Sequence, residues 1–461
     1  MRPGVVLGWA LLLGGCVAYR PQPIDVAGAV VQRQAAQLDP AAVGRRLSVL
    51  APGAAWNGKD WDLLALFAAA IDNNPEIKSA RAAVVTAQAD ARATRVRTGP
   101  TLTLTTEYAG AAPEKSPWLF GAVLDVPIDA GGPRAAPLAR ADLGGVAARQ
   151  DLAETVWRVR MVLRRAAADR LIAERQAALF DTIIAVRDRQ FAAMQRRVGA
   201  GAASRADLER VRADAADAVR RRGDAGVQRA AADAALAAAL GVPASAVTGL
   251  ALRWDGFDAP PTAFVSAGAG ERAAAIAVRA DVLKSVIAYD QSEADLRGEI
   301  ARQYPAISIG PGYTWERGLV KLPVNIALVL PPIDDNRAAI NAAEARRAEA
   351  ARRLEASVAQ AQGHIDRALV DVGQARALLA KVRSGEIAAA DRLAVQADRE
   401  LAAGSIDRTE WAAAQAGSGL ARASEIDALA RVHAADAGLE DALRRAVAGP
   451  ETQIVRAGEA K

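Results

Sequence analysis

The sequence holds one cysteine, two histidines and three methionines in 461 residues, and aromatics make up only 4%. A lone cysteine, Cys16, excludes an internal disulfide, so no cross-link supports the fold. His364 and His433 are far apart in sequence, and Met161 and Met194 form no motif. That excludes a converging set of soft or imidazole donors, so no metal is expected, and each histidine reads as a packed or surface residue. There is no Ser-His-Asp order and no zinc spacing. Asp129-Ala-Gly-Gly lacks the spacing that seats phosphate at a helix start. These absences argue against an enzyme. No later stretch reaches the roughly 20 apolar residues of a spanning helix, so any membrane is crossed by strands. Basic and acidic residues, 58 against 53, are interleaved, the pattern of solvated helix faces and not of a nucleic-acid patch.

What is present starts at the amino terminus. Arg2, an apolar run over residues 5–13 and then Gly14, Gly15 and Cys16 have the layout of a secretory signal, here residues 1–15. Leu13-Gly14-Gly15-Cys16 also resembles the bacterial lipobox, which implies cleavage and an acyl chain such as palmitate on Cys16. That covalent lipid, tethering the chain to a leaflet, is the only added group expected. Residues 16–60, with Pro21, Pro23, Pro40 and Pro52, read as an extended arm.

The chain then repeats itself. Pro100 and Pro305, like Tyr108 and Tyr313, stand 205 residues apart, and VPID at 126–129 aligns with PPID at 331–334 at the same offset. VGAGAASRADL (198–208) matches LAAGSIDRTEW (401–411), with Gly201 and Gly404 now 203 apart. The two copies span 61–240 and 271–447, joined by a Gly-, Pro- and Ala-rich connector at 241–270 and followed by a flexible tail at 448–461. Each copy reads as a helix, a strand pair (101–128 and 306–330) and a long helical hairpin. The fold class is mainly α with a membrane β part, built from a duplicated strand-pair and hairpin unit.

Within the strands, Leu102 and Leu104 alternate with Thr103, Thr105 and Glu107, and Val324, Ile326, Leu328 and Leu330 share a face. Such alternation suits a barrel strand between lipid and water, and equally a hairpin of a soluble sheet. Tyr108, Trp118, Tyr313 and Trp315 stand where an aromatic girdle could lie. Four strands cannot close a barrel, for which about eight are needed, so a membrane reading requires several copies. No proline interrupts the chain from Pro137 to Arg197 or from Arg337 to Ala402, which allows helices roughly 90 to 100 Å long. Seams such as Leu152, Val156, Val159, Leu163 and Ala166 step by four and three, as in a coiled coil.

The hairpin tips, near 198–205 and 401–408, place Gly201 and Gly404 where a helix turns back on itself. Val198, Gly199, Ala200, Gly201 and Ser204, with Leu401, Ala403, Gly404 and Ser405, leave room for another protein's helical tip, or simply make the turn. Asp207 and Glu410 each follow the tip glycine by six residues. With Asp407 and Arg408 they are candidates for a gate, against the alternative of ordinary solvated charge.

NNP at 73–75, TGPTLTLTTEY, QYPAISIGPGYTW, VPIDAGG, LPPIDDNRAAINAAEA and the two tips together resemble the TolC-like outer-membrane factors of bacterial efflux systems over about residues 60–440. IDDNRAAI is similar to the heavy-metal branch, the cobalt-zinc-cadmium or copper exporters. The resemblance implies a homotrimer with a shared 12-stranded barrel in the outer membrane and an α-barrel tunnel in the periplasm. It also implies a periplasmic adaptor (membrane fusion protein) at the tips, an inner-membrane pump of the RND type, and acidic residues near Asp207 and Glu410 at the periplasmic constriction. Ile128 and Ile333 depart from the aromatic the family often places after the proline, and Ile406 from an arginine. The competing reading is a lipid-anchored coiled-coil adaptor or scaffold that forms no pore.

Overall fold

The computed structural model describes residues 19–110, 116–128, 132, 134–261 and 269–454. The signal, Cys16 and residues 129–131 of VPIDAGG lie outside the described residues.

Two short helices come first, α1 (Val26–Gln34) capped by Asp25 and α2 (Pro40–Leu50) capped by Asp39. This corrects the extended arm expected over 16–60. Pro40 sits in the first turn of α2, where its missing N–H costs nothing. Val43 and Leu47, one turn apart, give α2 a buried stripe. Strand β1 (Asp60–Trp61) leads to α3 (Leu63–Asn73), in which nine of eleven residues are buried. Asn74 then accepts from the N–H groups of Glu76 and Ile77 and opens α4 (Pro75–Arg95), while its amide donates to Ala239 O at 2.7 Å. The NNP motif thus caps one helix and pins it to another.

Strands β2 (Thr101–Tyr108) and β3 (Trp118–Ile128) precede α5 (Ala135–Gly199), 65 residues and so about 98 Å long. Helix α6 (Arg205–Leu240) returns beside it. In the connector, β4 (Ala251–Leu252) pairs parallel with β1, and the buried Phe257 stacks on His433 at 4.0 Å. The second copy runs α7 (Ala269–Ala277), α8 (Ala280–Ala301), β5 (Ala306–Glu316), β6 (Leu319–Lys321), β7 (Val324–Val329) and α9 (Arg337–Lys381). The second strand of the pair expected over 306–330 is broken at Leu322-Pro323, because proline has no N–H for the ladder; Pro323 O still accepts from Gly312 N at 2.7 Å. A π-helical turn (Val382–Ile387) separates α9 from α10 (Ala388–Ala402), and α11 (Arg408–Leu443) returns.

The helices form one layer. Near the sheet it runs α4, α5, α8, α9, and toward the tips α6, α5, α11, then α9 and α10. The main core lies where α2, α3 and the end of α6 meet α5.

The expected flexible tail is also corrected over its described part. Arg444 takes a left-handed conformation (φ 51°) and ends α11. The chain then folds back into a short 3-10 turn (Pro450–Gln453) that buries Glu451 against α5. Arg160 donates to both Glu451 oxygens at 3.0 and 2.7 Å and to Glu440 at 2.8 Å. Burial pushes the Glu451 carboxyl up, against the pull of Arg160.

Candidate functional site

Two regions carry the predicted site residues: the sheet and the hairpin tips. The sheet is antiparallel throughout, in the order β2, β3, β5, then β6 and β7 along the same edge of β5. Directly paired residues share a face, so the register assigns both faces. Leu102 pairs with Leu124, Leu104 with Ala122, Tyr108 with Trp118, and Phe120 with Trp315. Ile309 pairs with Val126 on one side and Ile326 on the other, and Ile307 with Leu328. Apart from Thr106, which pairs with Phe120, this face is apolar from edge to edge, yet it is exposed, with Leu104 at 65% and Ile326 at 63%. The opposite face carries the charged residues Glu107, Asp125, Glu316 and Lys321 with Thr101, Thr103, Thr105, Ser308, Thr314, Asn325 and three glycines, interspersed with Leu119, Val123, Pro127, Leu319, Ala327 and Val329.

The structure brings Tyr108, Trp118, Tyr313 and Trp315 together on the apolar face, at the end away from the helices. The Tyr108 and Trp118 rings lie 4.9 Å apart, and Phe120 bridges Trp118 (5.8 Å) to Trp315 (6.0 Å). Phe120 escaped the sequence reading, although its two-residue spacing from Trp118 was the available signal.

At the tips the two copies use one backbone solution. Gly201 (φ 74°) and Gly404 (φ 76°) occupy the left-handed region that glycine adopts without strain. Ala202 N donates to Arg197 O at 2.8 Å and Ser405 N to Glu400 O at 2.9 Å, closing both helices with Schellman-type bonds. Val198 and Leu401 are half-buried, while Gly199, Ala200, Gly201, Ser204, Ala403, Gly404 and Ser405 are exposed.

The gate candidates sit at the caps of the returning helices. Ser204 Oγ accepts from Asp207 N at 3.1 Å and donates to the Asp207 carboxylate at 2.7 Å. Asp407 accepts from Thr409 N (2.6 Å) and Glu410 N (2.9 Å), and Glu410 accepts from Asp407 N at 3.3 Å, completing a capping box. The Ser204 hydroxyl, with Arg210 and Arg197 nearby, holds Asp207 below the usual carboxylate range. Burial works to raise the Asp407 carboxyl, but the N–H groups of Glu410 and Thr409 and the Arg197 guanidinium outweigh it and leave it lowered. Arg408 is the exposed first residue of α11. Arg197, absent from the sequence reading, ion-pairs with Asp407 and donates to Ala202 O at 3.3 Å, tying the two tips together. Its signal was a basic residue in the last turn of α5, where the helix dipole favours one.

His364 is exposed on α9, and His433 is buried with Nε2 2.9 Å from Phe257 O. Burial lowers the His433 pKa to about 4. Among the described residues no group of three or more His, Cys, Asp or Glu is placed to hold a metal ion, and no helix is long and apolar enough to cross a membrane.

Residues 66–242, essentially the first repeat, match the family model described as outer membrane efflux protein. No curated protein matches the chain in sequence. Among solved structures it is similar to a membrane protein from Pseudomonas aeruginosa, at 21% identity and a TM-score of 0.70 over 85% of this chain and 95% of that one. It is similar to the outer membrane protein VceC of Vibrio cholerae at 16% identity and 0.67, over 83% and 95%. The MtrE outer membrane channel of Neisseria gonorrhoeae, solved in its open state, gives 18% and 0.67 over 83% and 89%. At these identities the likeness shows the fold: the chain has the fold of outer-membrane channels, in both copies of its repeat. The matched family and these structures are described as efflux, membrane or channel proteins, none as an enzyme.

Proposed function

We propose that the chain is one subunit of a trimeric outer-membrane channel that passively conducts substrates out of the cell. The observation that carries this reading is the sheet. One face is exposed and apolar across all its strands, the other carries the sheet's charges and all but one of its small polar residues, and among the described residues both edges, β2 and β6–β7, are open. In water such a sheet is an aggregation hazard. In a bilayer an open edge leaves backbone groups unpaired at several kcal/mol each, so the sheet must close. With β6 and β7 counted as the two halves of one broken strand, three copies of four strands make twelve, which closes a barrel with lipid outside and water inside. Strands β2, β3 and β5, of 8, 11 and 11 residues, are close to the roughly 9–11 that span a bilayer.

In this reading the helical layers form a tunnel in the periplasm. The exposed small residues of the two tips receive a periplasmic adaptor, which links the tunnel to an inner-membrane pump of the RND type. An acyl chain on Cys16 anchors each subunit beside its barrel. Energy comes from the pump, so the conduit needs no catalytic groups. The heavy-metal cargo suggested by IDDNRAAI gains no further support from the geometry, since that segment is committed to its own turn. Asp334 accepts from Asn336 N and Ala338 N, both at 3.1 Å, and Asn336 donates to Glu299 O at 2.8 Å. A scaffold without a pore has no use for an apolar outward face on every strand, which favours the channel.

The test is the mass of the particle extracted from outer membranes in mild detergent, by light scattering corrected for detergent, followed by conductance in planar bilayers. Three chains per particle and discrete conductance steps are expected. A monomer stable to mild extraction overturns the reading.

A further inference from the structure

Charge on the polar face of the sheet is unevenly balanced. Glu316 pairs with Lys321 across the β5–β6 turn, and Glu107 lies 3.9 Å from Arg317 in that turn. At the other end of the sheet, next to the helices, the arrangement differs. Asp125 of β3 pairs in register with Thr101 of β2. The β3–β5 register, from Val123 opposite Gly312 to Val126 opposite Ile309, sets Asp125 level with Gly310, which in turn pairs with Asn325 of β7. One row across the four strands therefore reads Thr101, Asp125, Gly310, Asn325, with a single charge.

Asp125 is half-buried and makes no ion pair and no side-chain hydrogen bond among the described residues. Gly310 adds no side chain beside it, and a Cβ there would meet Val123 at 3.1 Å and Asn325 at 3.4 Å, so close packing of the strands keeps a further side chain out of that row.

We propose that Asp125 sets a preference for cations at the helix-ward mouth of the barrel. The inference rests on the channel reading, in which the polar face lines the lumen and three copies bring three uncompensated carboxylates to one level. A ring of like charge in a water-filled pore raises the local concentration of counter-ions and favours their passage. The barrel is wide, so selection acts through the field and not through contact, and it weakens as salt screens the charges.

The experiment uses the purified full chain in planar bilayers under a potassium chloride gradient, with the reversal potential giving the potassium-over-chloride permeability ratio. The wild type is expected to favour potassium. Asp125→Asn lowers the ratio roughly twofold at about 0.1 M salt, where charges act over about 10 Å, and the difference fades at about 1 M, where they act over about 3 Å. Asp125→Lys drives the ratio toward chloride, and Thr103→Asn, a neutral change on the same face, leaves it at the wild-type value. Trimeric channels of both Asp125 variants that keep the wild-type ratio overturn the proposal and leave the channel reading standing. Wild-type trimers without conductance remove the channel reading, and this inference with it.

Discussion

His433 sits where the connector crosses the helical layer, its ring stacked on Phe257 and edge-on to Trp254, with Arg164 and Arg175 close enough to disfavour a positive charge. Its folded pKa of about 4 lies below the ordinary value of 6.5. Between those values the unfolded chain binds the extra proton and the folded chain does not. The stability this neutral ring supports is therefore complete above about pH 6.5 and is lost as the pH falls toward 4, by roughly 3 kcal/mol for a shift of this size. His433→Phe retains the stack and removes the titration. Melting temperatures between pH 7 and 4.5 are expected to fall less in the variant; equal acid limbs would show that His433 stays neutral without cost. The tip carboxylates belong to the same scale. Asp207, Asp407 and Glu410 were legible as acidic residues placed after a glycine. That all three also serve helix caps follows from the S-x-x-D and D-x-x-E spacing, which the sequence displays but which reads as surface charge until the helix start is fixed.

At the scale of elements, glycines show what helix packing permits. Gly385 lies in the π-helical turn, and a Cβ added there would meet nothing within 4 Å, whereas at Gly419 of α11 a Cβ would lie 2.7 Å from Ile183 Cγ1 of α5. Gly385→Ala is expected to stabilise the subunit by about 1 kcal/mol, the ordinary helix-propensity gain. Gly419→Ala is expected to destabilise it by about 1–3 kcal/mol through overpacking between α5 and α11. Thermal melts of the two variants in one detergent decide this, and a stabilising Gly419→Ala would mean that the two hairpins are not in contact there. The long helices, strand pairs and tips were legible because proline-free runs, period-two alternation and the repeat each leave a local mark. Three features were not. Helix α2 hides in a proline-containing stretch because Pro40 falls in its first turn, where it is tolerated. The clasp made by Glu451 depends on Arg160, 291 residues away in sequence. The π-helical turn is held by Arg383, which reaches Glu425 and Asp258 O, both at 2.7 Å on other elements.

For the whole molecule, the proposed channel rests on a demand that a single chain does not meet: in that reading the apolar face lies against lipid, and the two edges, open among the described residues, pair with neighbouring subunits. The alternation along β2 allows a direct test, because adjacent residues face opposite media. Leu104 lies on the apolar face and Thr103 on the polar face, both midway along the strand. An arginine on the lipid face near the bilayer midplane costs roughly 2–4 kcal/mol, whereas one in the lumen keeps its water. Leu104→Arg is therefore expected to reduce assembly into membrane-inserted trimers by an order of magnitude or more, and Thr103→Arg to leave yield unchanged while shifting ion preference toward anions. Trimer yield is read on gels after mild extraction, and urea unfolding of particles refolded into vesicles measures the energy. Equal tolerance of both substitutions would place the sheet outside the bilayer. An adaptor docked at the tips would then have a scaffold to bind instead of a tunnel, since among the described residues no helix is long and apolar enough to cross a membrane. The reverse sensitivity, with Thr103→Arg the harmful change, would put the polar face against another protein surface and leave the barrel unclosed.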